Sequence, residues 1–178
     1  MTAPGSIAVV PYDSRWPADF ERERDRIRRA LGDVALRIDH HGSTAVAGLA
    51  AKPVIDIQVS VARLHPIDPY AAALERIGYV HVPHDDDARC PFFHRPAEWP
   101  HTHHVHVVEA GGGEERRTLA FRDYLRAHPE AARDYEALKR DLARDHDGDC
   151  AESREAYARA KSAFVERIIA AAARPSRR

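Results

Sequence analysis

At 178 residues the chain is long enough for one substantial hydrophobic core and short for two, and no segment approaches the roughly 20 apolar residues of a membrane span. Its 28 acidic and 27 basic residues nearly cancel, which excludes a whole-protein field that would hold nucleic acid or an anionic membrane. Any phosphate contact must therefore be local. The absence of a basic leader and the low cysteine content (two) predict a cytoplasmic protein.

A helix and a strand are predicted ahead of the first glycine turn. Apolar residues recur at helical spacing from Trp16 to Leu31, and Gly32 ends the pattern. The alternation of apolar with smaller or polar residues from Val34 to Ile38 then predicts a strand. This strand leads into the turn Gly42-Ser43-Thr44.

A second strand, Val54 to Val61, places its apolar residues on one face and Asp56, Gln58 and Ser60 on the other. Pro66 to Gly78 has the buried stripe of a helix, and a short strand, Tyr79 to Val82, follows it. The second strand therefore has one core face and one polar face.

The sequence from His84 onward predicts a loop, one more long strand and then helices. His84 to Pro100 is rich in proline and aspartate and is predicted as a loop with a short strand at Phe92 and Phe93. His103 to Glu109 alternates as a strand. Helices are predicted at 114–127, 130 to about 146 and 152 to about 173, before a tail that should fray. This order predicts an α/β (α+β) fold, with a mixed β-sheet flanked by helices.

We expect a single domain made of two parts. Residues 1 to about 113 form the α/β core, and residues 114–178 form a C-terminal helical lobe.

The block from His40 to Val59 carries the strongest chemical signal. A glycine-serine turn at a strand end frees backbone amides and hydroxyls, here those of Gly42, Ser43 and Thr44, to face an anion. Asp56, on the polar face of the next strand, can hold a divalent cation beside that anion. The plain alternative is an ordinary turn followed by a half-exposed strand.

The same block resembles the signature of the nucleotidyltransferase superfamily, in which a Gly-Ser turn precedes a strand with two acidic residues one position apart. Nearly the whole chain resembles the GrpB family, a branch of that superfamily that also occurs fused to dephospho-CoA kinase. The segments that carry the resemblance are VVPYDSRWPADFERE, HHGSTAVAGLAAKPVIDIQV, HHVHVVE, FRDYLRAHPEAARDYEALK and YARAKSAFVERI. The resemblance implies a nucleotidyltransferase-like fold and a site that handles nucleotides.

The chain departs from the superfamily pattern at two of the three acidic positions. Asp56 fills the first, but Gln58 stands at the second, and His106 stands where a later strand should bring the third acid. One negative charge compensates two magnesium ions poorly, although Mg²⁺ or Mn²⁺ stays an option. Imidazole favours a transition metal such as Zn²⁺, so a metal is expected at Asp56, Gln58, His104 and His106. The alternative is that the histidines bond to loop groups or to phosphate.

Three basic residues are candidates for binding phosphate. Lys161 lies on the apolar face of the last helix and either reaches the helix edge or points into a cleft. Its match to the family's Ala-Lys-x-x-Phe pattern implies the cleft, where it would act with Asp56 in catalysis. Lys52 could serve the same anion, and Arg122 belongs either to a ligand site or to an exposed helix face.

The resulting hypothesis is a protein that binds a nucleotide or another phosphorylated small molecule and transfers a nucleoside monophosphate to a small acceptor with the help of a metal. A catalytically degenerate nucleotide or metabolite sensor and a histidine-rich, metal-dependent phosphoesterase are the two alternatives. No membrane or nucleic-acid partner is expected.

Overall fold

A computed structural model describes residues 8–145 and 151–173 of the chain. Within them the helices are α1 (Trp16–Leu31), α2 (Asp68–Arg76), α3 (Gly113–Ala127), α4 (Pro129–Asp145), α5 (Ala151–Ala160) and α6 (Ser162–Ala172). The strands are β1 (Arg37–His41), β2 (Ile55–Val61), β3 (Val80–Val82), β4 (Phe92–Arg95) and β5 (His103–Glu109). None of the described helices is long and apolar enough to span a bilayer.

The five strands form one mixed sheet in the order β1-β2-β5-β4-β3. β2 and β5 run parallel, and the other neighbouring strands are antiparallel. β2 and β5 thus lie at the centre, with the helix α2 and the strands β3 and β4 between them in sequence. The predicted fold class, a mixed sheet flanked by helices with a C-terminal helical lobe, is confirmed.

One face of the sheet is apolar and packs against α1 and α2. Its centre is formed by Ile57, Val59, Val105 and Val107, all fully buried. Trp16, Phe20, Ile27 and Leu31 of α1 cover them at the predicted helical spacing. Burial of this apolar surface is the main stabilising contribution to the fold.

The opposite face is polar, yet the helical lobe covers it. Gln58 and Ser60 are fully buried there, and the Ser60 hydroxyl donates to the Glu115 carboxylate of α3 at 2.6 Å. The alternation in β2 correctly separates the two faces, but the polar face lies inside the protein. Burying polar groups costs free energy. A buried polar surface is therefore a candidate for a functional site.

Two local elements differ from the sequence prediction. The first strand begins at Arg37, because Gly32–Val34 forms a 3-10 turn, and Leu36 is 56% exposed. The last predicted helix is divided at Lys161 into α5 and α6. The sequence has no glycine or proline at this point that would predict the break. The predicted tail after Ala173 lies outside the described residues.

Candidate functional site

Strand pairing arranges polar side chains in two rows across the face under the helical lobe. In register, the first row contains His41, Asp56, His104 and His94, and the second contains Asp39, Gln58, His106 and Phe92. Side chains directly opposite each other on neighbouring strands lie in contact range. The sheet therefore collects residues from four strands into one polar patch.

The turn before β2 lies against Asp56, as the sequence predicts. Gly42 has φ +67° and ψ −169°, a conformation that is essentially restricted to glycine. A Cβ atom at this position would lie 2.3 Å from Asp56 Oδ2. Glycine is therefore required here for two reasons, the backbone conformation and the close approach of the carboxylate.

Asp56, His104 and His106 form a compact group of candidate metal ligands. Each offers one donor atom, and the three donor atoms lie within 4.8 Å of one another. His104 Nδ1 also lies 3.2 Å from Asp56 Oδ1, and His101 Nδ1 lies 3.4 Å from His104 Nε2. Two imidazoles and one carboxylate suit a divalent transition metal and leave further coordination positions for a ligand.

The protonation states of this group favour metal binding. Burial by itself would raise the pKa of Asp56, but the hydrogen bond from His104 and the nearby imidazoles hold that pKa well below its usual range. Burial lowers the pKa of His106 to about 3. Asp56 is therefore ionised and His106 neutral at neutral pH, which are the forms that bind metal ions.

A cavity of about 750 Å³ opens over this group, between the sheet and the helical lobe. We refer to it as the central cavity. Ser43, Asp56, His104 and His106 contribute from the sheet side, together with Phe92. Its volume lies in the range of small-molecule sites.

All three lysines of the chain line the central cavity: Lys52, Lys139 and Lys161. Lys52 and Lys161 lie 5.2 and 4.5 Å from the centre of the buried Tyr157 ring. Burial lowers the pKa of Lys52, that of Lys161 to about 8 and that of Lys139 to about 7. These lowered values mean that the folded protein does not fully compensate the three positive charges.

Four predicted site residues do not line the cavity, and one of them is Gly42, which lies against Asp56. Thr44 is 1% exposed, and its hydroxyl donates to the carbonyl of Val54 while His40 Nε2 lies 2.9 Å away, so it is not free for a phosphate. Arg122 donates to the carbonyl of His40 and pairs with Asp123, on another side of the lobe. Gln58 is fully buried and does not line the cavity, and neither of its polar atoms has a partner among the described residues.

Lys139 is a cavity residue that sequence reasoning missed. It is 2% exposed, it donates to the carbonyl of Ala50, and it lies 4.9 Å from the centre of the Tyr135 ring. Lys139 follows Tyr135 by four residues, just as Lys161 follows Tyr157. The repeated Tyr-x-x-x-Lys spacing on two buried helix faces is the signal that could have identified it.

Fold and site together define a mixed α/β protein with a candidate metal and anion site between its sheet and its helical lobe. The family model "GrpB protein" matches residues 6–171, and the chain belongs to that family. The crystal structure of conserved protein GrpB from Enterococcus faecalis matches with a TM-score of 0.81 and 34% identity, over 93% of this chain and 96% of that one. The resemblance inferred from the sequence is thereby confirmed.

Some curated relatives are similar in length to the matched region, and others are much longer than it. A UPF0157 protein of Halalkalibacterium halodurans is 41% identical over 167 residues, which are 92% of this chain and 81% of that protein. A dephospho-CoA kinase of Mycolicibacterium paratuberculosis is 36% identical over 80% of this chain, but the match spans 41% of the kinase. The predicted association of this fold with dephospho-CoA kinase is therefore confirmed.

Proposed function

We propose that this protein binds a nucleotide or another phosphorylated small molecule in the central cavity and, with one divalent metal ion, transfers a nucleoside monophosphate to a small acceptor. The supporting observation is that one cavity joins a metal-type donor group, Asp56, His104 and His106, to three lysines. Metal ions and lysines are the two means by which proteins commonly neutralise phosphate charge.

The residues take distinct roles in this proposal. Asp56, His104 and His106 would hold the metal, which when bound supplies Lewis-acid polarisation of a phosphoryl oxygen. Ser43, on the turn beside Asp56, presents its hydroxyl to a phosphate oxygen. Lys161 and Lys52 stabilise the negative charge that develops on the leaving phosphate.

The donor set favours a transition metal over a pair of magnesium ions. Asp56 is its one carboxylate, whereas magnesium sites rely on oxygen ligands and retain several waters. Mn²⁺ and Zn²⁺ accept imidazole readily. The sensor remains the competing hypothesis because Gln58, at the second acidic position, is buried and does not line the cavity.

The experiment combines metal analysis with a transfer assay. Protein stripped of metal on a chelating resin is reloaded with Mn²⁺, Zn²⁺ or Mg²⁺ and incubated with α-labelled nucleoside triphosphates and an acceptor pool. The pool includes dephospho-CoA, because a relative is named for that compound. We expect about one bound transition metal per chain, pyrophosphate release and a labelled product.

Variants at two aspartates provide the control. Asp56→Asn should lose the metal and the transfer activity, because an amide is a weak ligand for a divalent ion. Asp25→Asn, at an exposed position of α1, should retain both. Labelled nucleotide that binds without turnover would favour the sensor. Hydrolysis of the nucleotide, with water as the acceptor, would favour the phosphoesterase. Absence of both metal and nucleotide binding would overturn the proposal.

A further inference from the structure

The basic residues of this chain are divided sharply between two roles. Lysine is scarce, with 3 lysines among 27 basic residues, and all three line the central cavity. Arginines provide the other basic side chains, and of the arginines in residues 8–145 and 151–173 only Arg159 lines this cavity. The fold thus brings residues 52, 139 and 161, which are far apart in the sequence, to one cavity.

The lysines also differ from the arginines in their partners. Across residues 8–145 and 151–173, every ion pair within 4.0 Å uses arginine or histidine, and none uses a lysine. Lys52 and Lys161 face the ring of Tyr157, and Lys139 faces the ring of Tyr135 and the carbonyl of Ala50. Within the described part of the chain, no carboxylate therefore lies within 4.0 Å of the three ammonium groups.

The carboxylates around the lysines compensate their charge only in part, because each is paired with another group or lies exposed. Asp56 is engaged by His104, Glu155 pairs with Arg159, and Glu136 pairs with Arg140 and accepts from the backbone amide of Ala50. Of the two other carboxylates that line the cavity, Asp86 pairs with Arg89 and Asp85 is exposed to solvent. Lys139 and Lys161 further repel each other, as do Lys161 and Lys52. Buried charges of one sign that lack partners are costly unless a ligand brings the opposite charge.

We propose that Lys52, Lys139 and Lys161 form a subsite for a diphosphate or longer polyphosphate chain. This inference rests on the proposed function and narrows its ligand class. A phosphate monoester carries at most about two negative charges at neutral pH on a single phosphorus centre, whereas three lysines from separate segments of the chain line this cavity. A diphosphate brings more charge and spreads it over two phosphorus centres, which matches cations distributed around Tyr157 and Tyr135.

Calorimetric titration of metal-stripped protein tests the subsite without the metal centre. The ligands are orthophosphate, AMP, pyrophosphate, tripolyphosphate and ADP. Pyrophosphate and ADP should bind at least about tenfold more tightly than orthophosphate and AMP, which corresponds to one additional charged hydrogen bond. Equal affinity for pyrophosphate and ADP identifies the diphosphate itself as the recognised group, and tighter ADP binding identifies a nucleotide as its source. Equal affinity for AMP and ADP, or no binding at all, overturns the subsite.

Lysine variants assign the binding to the three residues. Lys52→Met, Lys139→Met and Lys161→Met should each weaken pyrophosphate binding by about tenfold or more, whereas Lys161→Arg should largely restore it. Arg144→Met, at an exposed position of α4, is the control and should bind as the wild type does. Wild-type affinity in all three methionine variants would overturn the proposal. A salt titration of the wild type, in which affinity falls with ionic strength, gives a second readout that requires no variant.

The two proposals fail in different ways. If the subsite exists but the metal centre does not, metal-stripped protein will bind pyrophosphate and the reloaded protein will hold no metal. If the metal centre exists without the subsite, the reloaded protein will hold metal but will not distinguish diphosphate from monophosphate.

Discussion

Buried ionisable groups on the two faces of the central sheet are paired to different extents. On the α1 face, Glu23 accepts from Tyr79 at 2.9 Å and pairs with Arg26 and Arg95, each at 3.0 Å. On the lobe face Glu115 is also paired, since it accepts from Ser60, but the lysines have no carboxylate partner among the described residues, and Gln58 has no hydrogen-bond partner there. The first group stabilises the fold, and the second lacks the partners that a ligand would supply.

This difference distinguishes buried polar groups that stabilise the fold from buried polar groups that are available to a ligand. A network centred on a well-paired carboxylate such as Glu23 lowers the free energy of the folded state, or at least does not raise it much, although the Nε atom of Arg95 lacks a partner among the described residues. An unsatisfied one raises that free energy, and its presence requires a reason such as ligand binding. The comparison can be tested by perturbing each face in turn.

The largest effect is expected from removing the centre of the satisfied network. Glu23→Met should destabilise the protein by about 3 kcal/mol, because Tyr79 loses its acceptor and two arginines lose their partner. Arg26 and Arg95 reach solvent, which keeps the loss at the low end for a broken buried pair. Urea unfolding measures the change. Unaltered stability would show that the α1 face is not held by this network.

The next effect concerns the glycine that faces Asp56. Gly42→Ala should cost about 2 kcal/mol of stability from backbone strain, and it should displace the Asp56 carboxylate and abolish metal binding. Gly48→Ala is the matched control, because Gly48 also has positive φ (+79°) but nothing within 4 Å of its added Cβ. The control should lose about 1 kcal/mol and retain the metal. Metal binding by the Gly42 variant would contradict the described close approach.

A pH titration probes the α1 face through His40, which is stacked on Phe20 with ring centres 4.7 Å apart. Burial lowers the pKa of His40 from 6.5 to about 4. The unfolded chain therefore takes up this proton below pH 6.5 and the folded protein only near pH 4, so stability falls as pH decreases through this window.

The contribution of His40 is up to about 1.4 kcal/mol per pH unit between pH 6.5 and 4. Urea unfolding of His40→Phe should show that the free energy of unfolding changes less steeply with pH across this window, by that amount. The exposed His65→Asn variant is the control. An unchanged slope would mean that His40 is protonated equally in both states.

The smallest expected effect has the opposite sign from that of Glu23→Met. Lys139→Met should raise the free energy of unfolding at pH 7 by about 1 kcal/mol, because a poorly compensated buried ammonium is replaced by an apolar side chain. A thermal melt should shift upward by a few degrees. Clear destabilisation would place Lys139 with the structural group and weaken the contrast between the two faces.

Much of the fold could be predicted from residue periodicity, because the α1 face follows simple rules. The helix α1 and the strands β2 and β5 lie within about one residue of their predicted bounds. The covered polar face could not be predicted, since alternation shows only that Ser60 and Gln58 point away from the core. Their burial depends on α3, which is distant in sequence.

The candidate site was predictable where it is carried by neighbours in sequence or by strand register. Asp56 and the Gly42 turn are close in the chain, and His104 and His106 share one face of β5. Thr44 and Arg122 do not line the central cavity, and a sequence does not show that nearby carbonyls already occupy their polar groups. Lys139 was missed because its place in the cavity depends on how α4 packs.

The most direct test of the account is a crystal structure of the protein grown with MnCl₂ and a non-hydrolysable nucleoside triphosphate. We predict an anomalous manganese peak bound by Asp56, His104 and His106, with phosphate oxygens within hydrogen-bond distance of Lys52, Lys139 and Lys161. Manganese or nucleotide bound only outside the central cavity, with Asp56 still paired to His104, would contradict it.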